Sequence, residues 1–177
     1  MGKQLELLTQ VVPKVSRVAV LWNPDNPGNA RQLRAAEAVP GLRLEPVGAR
    51  DSAEIEKAFV TMTRQRPDGL VVLLDPIFLS ERERIADLAM RNRLPAVYGY
   101  RLHPDARGLM AYGASRVELN QQTAVYVAKI LKGAKPADLP VAQPTKFELV
   151  INMKTAKALD LKIPHSVLLR ADEIIER

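Results

Sequence analysis

The chain has no cysteine in its 177 residues, so disulfides and thiolate metal sites are excluded. Histidine is almost as scarce. His103 and His165 are the only two, too few for an all-histidine metal site, and both are read as surface residues. Aromatic residues make up only 5% of the chain, so each one carries more information than usual. No apolar run approaches the ~20 residues needed to span a bilayer. The opening Met1-Gly2-Lys3-Gln4-Leu5-Glu6 lacks the apolar region of an export signal. Nucleotide loops are missing too. After the first apolar run comes Asn23-Pro24-Asp25-Asn26-Pro27-Gly28, stiff and with one glycine, where a dinucleotide fingerprint needs several. Gly133-Ala134-Lys135 lacks the upstream glycine and the hydroxyl of a P-loop, and no Gly-x-Ser-x-Gly elbow occurs. The chain is therefore read as non-catalytic, with no cofactor.

What is present is the composition of a soluble globular protein, 47% hydrophobic and 26% charged. The length suits one substantial core, or one full lobe and part of another. A net charge of +6 invites a nucleic-acid reading, but the basic residues form no block. Arg82 and Arg84 alternate with Glu81 and Glu83, and Lys57 follows Glu54 and Glu56. Mixed signs of this kind mark a solvated face, so no nucleic-acid partner is expected.

Four short apolar runs end alike, each breaking off before a helical pattern. They are Val18–Pro24, Leu42–Val47, Gly69–Pro76 and Ala96–Tyr100. This is the pattern of parallel strands joined by crossover helices, and it predicts an α/β fold, Rossmann-like or flavodoxin-like, with helices on both faces. Helices are expected at 3–12, stopped by Pro13, and near 27–38 with Asn26 as N-cap. A third follows Asp51 and Glu54, with Ile55, Ala58, Phe59 and Met62 on one face. Ser80 and Glu83 form a capping-box pattern for a helix near 81–92, and Ser115 and Glu118 another for a helix ending at Gly133. Residues 101–108 read as irregular, 109–112 as a short strand, 147–151 as a fifth good strand and 153–160 as a short helix capped by Asn152. The tail from Pro164 is ambiguous.

Ligands of open parallel sheets bind outside the carboxyl ends of the strands. That edge is where the sequence places Trp22, Asn23, Asp75, Tyr98 and Tyr100, with Asn26 and Tyr112 close by in the chain. Each also has a plain structural reading. Trp22 is either core packing or ligand-facing, and Asn23 and Asn26 are either turn and cap residues or donors to a solute. Asp75 before Pro76 either starts a turn or pairs with a ligand ammonium. Tyr98 and Tyr100 alternate and so share a side, which predicts one flat wall for a ring. As a phosphoacceptor Asp75 would need an acidic pair after the first strand, and none is there.

Three stretches carry a family resemblance. They are Arg17-Val18-Ala19-Val20-Leu21-Trp22-Asn23-Pro24, Leu131–Val141 (Leu-Lys-Gly-Ala-Lys-Pro-Ala-Asp-Leu-Pro-Val), and Gln143–Leu159 with Phe147-Glu148-Leu149-Val150-Ile151-Asn152 at its centre. They closely resemble the ABC-transporter substrate-binding proteins of the type I periplasmic-binding class, the group that includes tryptophan/tyrosine-type binders. The resemblance covers nearly the whole chain in order. It implies a two-lobed, non-catalytic receptor, periplasmic or membrane-anchored, that traps a small-molecule solute between lobes and hands it to an ABC permease. Relatives carry a signal peptide and most of a first lobe ahead of the segment that starts here. On that comparison residues 1–104 and 140–177 are expected to form the second lobe and 105–139 a fragment of the first. Many relatives also carry an aromatic and arginines near Leu119–Gln122, where this stretch is neutral. The expected apolar face of Leu119, Thr123, Tyr126, Val127, Ile130 and Leu131 then lacks cover, which predicts self-association through 109–132. The alternative reading is the effector-sensing domain of a lactose-repressor-type regulator, which shares the lobe architecture.

Overall fold

The first strand forms where the sequence is most uniformly apolar. Val18, Ala19, Val20 and Leu21 are all fully buried, so β1 (Arg17–Trp22) is covered on both faces. The computed structural model describes residues 1–36 and 40–176, and the expected end of the second helix at 37–38 lies outside the described residues. In chain order the elements are α1 (Gly2–Val11), β1, α2 (Pro27–Ala36), β2 (Arg43–Gly48), α3 (Ser52–Gln65) and β3 (Gly69–Val72). Then come α4 (Pro76–Ser80), α5 (Arg82–Arg91), β4 (Ala96–Tyr98), α6 (Leu102–Asp105), β5 (Met110–Ala114) and α7 (Arg116–Leu131). The chain closes with β6 (Phe147–Asn152), α8 (Met153–Ala158), α9 (His165–Leu168) and β7 (Glu173–Ile175).

The strands form one sheet in the order β2-β1-β3-β4-β5-β6-β7. Neighbours from β2 to β5 run parallel, β6 is antiparallel to β5, and β7 is parallel to β6. The fold is thus the expected α/β architecture with a mostly parallel sheet. Alternation along the strands splits the core into two layers. Val18, Val20, Val71 and Val97 join Leu5 and Leu8 of α1 and Leu33 of α2 on one face. Ala19, Leu21, Leu70, Val72, Ala96 and Tyr98 join Ile55, Phe59 and Met62 of α3 and Ile85 of α5 on the other.

Three expectations change. Ser80 does not cap the helix at 81–92. Asp75 has already started a turn, capping α4 through Ile77 N with Pro76 in the first turn. Ser80 therefore falls at that helix's end, where its hydroxyl donates back to Ile77 O at 2.9 Å. The capping box at Ser115 is half-formed. Its hydroxyl accepts from Glu118 N at 3.5 Å, while the Glu118 carboxylate accepts from Thr145 Oγ1 and from Lys146 N on the returning chain. The irregular stretch 101–108 contains a helical turn, α6. β5 pairs with β4 on one side and β6 on the other, so residues 110–114 lie inside the seven-stranded sheet.

Beyond Ser115 the chain leaves that body. None of the residues of α7 is buried, and Val117 and Leu131 are 65% and 82% exposed. Its attachments are polar: the Glu118 bonds to 145–146, and Tyr126 Oη donating to Pro140 O at 2.7 Å.

Candidate functional site

The sheet order reverses direction at β1, because β2 is added on one side of it and β3 on the other. A reversal of this kind opens a crevice at the carboxyl ends of the two strands. Here an amide network joins the two strand exits. Asn29, from the first turn of α2, accepts from Asn23 N at 2.9 Å and donates to Leu74 O at 2.9 Å, so it ties the exits of β1 and β3 together. It is 1% exposed. Asn23 Oδ1 accepts from Asp25 N at 3.0 Å, and Asn26 Oδ1 accepts from Gly28 N at 2.9 Å. The latter is a helix cap, and Pro27 suits the first position because it has no N–H to satisfy.

Both asparagines turn their amide groups on one carboxylate. Asn26 Nδ2 lies 2.8 Å and Asn23 Nδ2 3.2 Å from Asp75 Oδ2. The other oxygen, Asp75 Oδ1, accepts from Ile77 N at 3.0 Å. Asp75 is 4% exposed. The turn-and-cap reading of these residues holds, and in capping and turning the chain they assemble a polar cluster at the switch point.

Tyr100 lies next to this cluster. Burial raises its phenol pKa first, the Arg116 guanidinium pulls it down, and the Asp75 carboxylate pushes it up. The Arg116 Cζ sits 5.9 Å from the Tyr100 ring centre. The approach depends on two glycines. A Cβ on Gly113 would lie 2.0 Å from Gly99 O, and one on Gly99 would lie 2.4 Å from Leu74 Cδ2. Bare backbone at both positions lets the exits of β3, β4 and β5 close up.

The remaining candidates separate. Tyr98 is fully buried in the α3–α5 layer, so its expected place on the ligand wall is corrected. It is still a strand residue, in register with Val72, and alternation turns it into the core. Tyr100 lies past the strand, where alternation no longer applies. The two rings do share a neighbour: His103 stacks on Tyr98 at 4.4 Å and on Tyr100 at 6.4 Å. Trp22 is half-buried against the α1–α2 layer, with its indole toward Gly48. Tyr112 stacks on Phe147 at 5.7 Å, and its carbonyl accepts from Gln4 Nε2 at 3.1 Å. Trp22 ends β1 and Tyr112 lies within β5, and neither takes part in the hydrogen bonds of the polar cluster.

Three residues at this edge carry less obvious sequence signals. Asn29 had one: it shares a helical stripe with Leu33 and Ala36, and a polar residue on a buried stripe needs partners. Arg116 was one cation among many. His103 was read as a surface residue and is 1% exposed. Its Nδ1 faces Tyr100 O at 3.3 Å and its Nε2 faces Phe78 O at 3.2 Å. Burial pushes its pKa down to about 4, against the upward pull of the two carbonyls. The folded chain therefore holds it neutral. Its contribution to stability is complete above the ordinary value of 6.5 and is lost as pH falls toward about 4. We expect a loss of about 3 kcal/mol across that window. Urea unfolding as a function of pH checks this, and His103→Gln should remove most of the slope.

Among the described residues no group of three or more histidines or carboxylates is placed to hold a metal ion. Among the described residues no helix is long and apolar enough to cross a membrane. The family model of the ABC transporter substrate binding proteins matches residues 1–175, and the chain belongs to that family. A curated relative, the tyrosine-binding protein of Clostridioides difficile, is 23% identical over 163 residues, covering 90% of this chain and 47% of its own length. A domain from Streptococcus pneumoniae solved in complex with L-Trp superposes with a TM-score of 0.90 at 27% identity, covering 98% of this chain and 59% of that one. A conserved domain protein from Vibrio cholerae superposes at 0.86 with 28% identity, covering 97% and 59%. The chain therefore spans about half the length of the curated relative it matches. The regulator alternative receives no support from these matches.

Proposed function

We propose that the chain is the solute-binding lobe of an ABC import receptor and takes an aromatic amino acid at the carboxyl edge of β1, β3 and β4. The observation that carries this is the convergence of Asn23, Asn26 and Asp75 at the switch point, beside Tyr100. A fixed carboxylate with amide neighbours suits an ammonium group, and the half-buried rings of Tyr100, Trp22 and Tyr112 suit an apolar side chain. The named ligands of two relatives, tyrosine and L-Trp, are of this class. In this reading the chain carries out no catalysis, works outside the cytoplasmic membrane or anchored to it, and passes its solute to a permease. The rest of a longer protein supplies the facing wall. Calorimetric titration with L-tyrosine and L-tryptophan, with glycine as comparator, tests the reading. Weak binding of the aromatic acids is expected, because one wall alone buries little of the ligand. Equal response to glycine contradicts it.

Residues 1–114 and 147–176 form the second lobe in this proposal, and α7 belongs with the first. Val117, Val125, Val127, Ile130 and Leu131 are all exposed on α7. Each wet side chain of this size forfeits roughly 1.5–3 kcal/mol of burial. For the isolated 177-residue chain the occupant of this surface is a second copy, through α7 (Arg116–Leu131). Sedimentation should show a concentration-dependent dimer that Leu131→Glu with Val127→Glu abolishes. A strictly monomeric chain at high concentration contradicts the pairing.

A further inference from the structure

The arginines at this edge differ in whether their charge is already spent. Arg50 pairs with Asp25 and Glu54, and Arg101 pairs with Glu173 at 2.8 Å and Asp105 at 3.9 Å. Arg116 is exposed and, among the described residues, makes no ion pair and no hydrogen bond. Its guanidinium is nevertheless placed, 5.9 Å from the Tyr100 ring centre. A ring face steadies an arginine head without consuming its donors, because the attraction is to the π cloud and the N–H groups stay in the guanidinium plane. The base of the side chain is also fixed. Ser115, one residue before, is 2% exposed and tied to Lys146 O through its N–H at 2.9 Å. Gly113 against Gly99 O sets the spacing between the two strand exits that carry Arg116 and Tyr100.

The edge therefore presents two opposite charges, both near Tyr100. The carboxylate of Asp75 is buried and aligned by two amides, and the guanidinium of Arg116 is steadied by a ring and otherwise unengaged. An α-amino acid carries the complementary pair within one small head group. We propose that Arg116 is a specificity-determining residue that reads the ligand's carboxylate, so that the site selects the zwitterionic amino acid over its amide. This rests on the solute-binding reading above. The planar fork of arginine matches a carboxylate in two parallel hydrogen bonds, and an amide offers only one acceptor and no charge.

The test is calorimetric titration of the 177-residue chain with L-tyrosine and with L-tyrosinamide, for the wild type, Arg116→Gln and Arg116→Lys. Wild type should favour L-tyrosine by roughly tenfold or more, as a charge-assisted hydrogen bond implies. Arg116→Gln should drop L-tyrosine to the level of the amide and leave the amide's affinity where it was. Arg116→Lys should fall between, since it keeps the charge and loses the fork. The side chain is exposed at the start of α7, so thermal melting should be unchanged in both variants. If wild type binds both compounds alike, or if Arg116→Gln weakens both equally, the carboxylate assignment is overturned while the binding reading stands. If wild type binds neither, both fall.

Discussion

Asp75→Ala is expected to lower stability by about 3 kcal/mol and to abolish binding of an aromatic amino acid at the edge. Three donors converge on this carboxylate: Ile77 N, Asn23 Nδ2 and Asn26 Nδ2. Removing it deletes a helix cap, worth about 1 kcal/mol, and strands two amide groups in a site where water enters poorly. The turn from Asn23 to Asn26 then loses its anchor on β3, and α4 loses its start. Asp75→Asn separates the two roles. Its remaining carbonyl oxygen can serve Ile77 N, but its own amide would face those of Asn23 and Asn26. Stability should therefore recover in part, while binding of an ammonium-bearing ligand stays lost. Urea unfolding and calorimetry on the same two variants read these effects. Full binding by Asp75→Ala would remove Asp75 from the site.

Gly113→Ala is expected to be as damaging, by an unrelated route. The added methyl would stand 2.0 Å from Gly99 O, a backbone atom with no rotamer to yield. β4 and β5 must separate, and overpacking of this kind costs about 1–3 kcal/mol, occasionally more. We expect the upper end of that range and a fall in Tm of roughly 10 °C for a chain of this size. Gly2→Ala is the control, since a Cβ there meets nothing within 4 Å. The separation would also carry Tyr100 away from Arg116, so selectivity for the carboxylate should fall along with stability. An unchanged Tm would show that the strand exits have slack that the account denies them.

How much of this was legible in the residues follows from what each signal depends on. β1 and β3 could be read because a strand covered on both faces is apolar throughout, and Val18–Leu21 and Gly69–Val72 are. The edge position of Asn23, Asn26 and Asp75 followed from where those runs stop. Their mutual bonding did not, because it needs β1 and β3 to be neighbours although β2 lies between them in sequence. Tyr98 was misplaced because alternation is a rule within a strand: β4 ends at Tyr98, which obeys it, and Tyr100 lies beyond it. β7 left no trace, since Glu173–Ile175 is a three-residue edge strand without a buried side. The pairing of Met110–Ala114 with β6 left no local signal, because the partner strand lies some forty residues further along the chain. α7 was legible as a helix, and its lack of cover followed from the family resemblance.

The central claim is that a solute is held at the carboxyl edge of β1, β3 and β4. Amide chemical-shift mapping of the isotope-labelled chain during titration with L-tyrosine tests it most directly. The account predicts saturable shifts concentrated at Asn23, Asn26, Asp75, Tyr100 and Arg116, smaller ones at Trp22 and Tyr112, and none at the opposite edge around Ser16 and Asp68. Shifts centred away from that cluster, or a spectrum that L-tyrosine leaves unchanged, would contradict it.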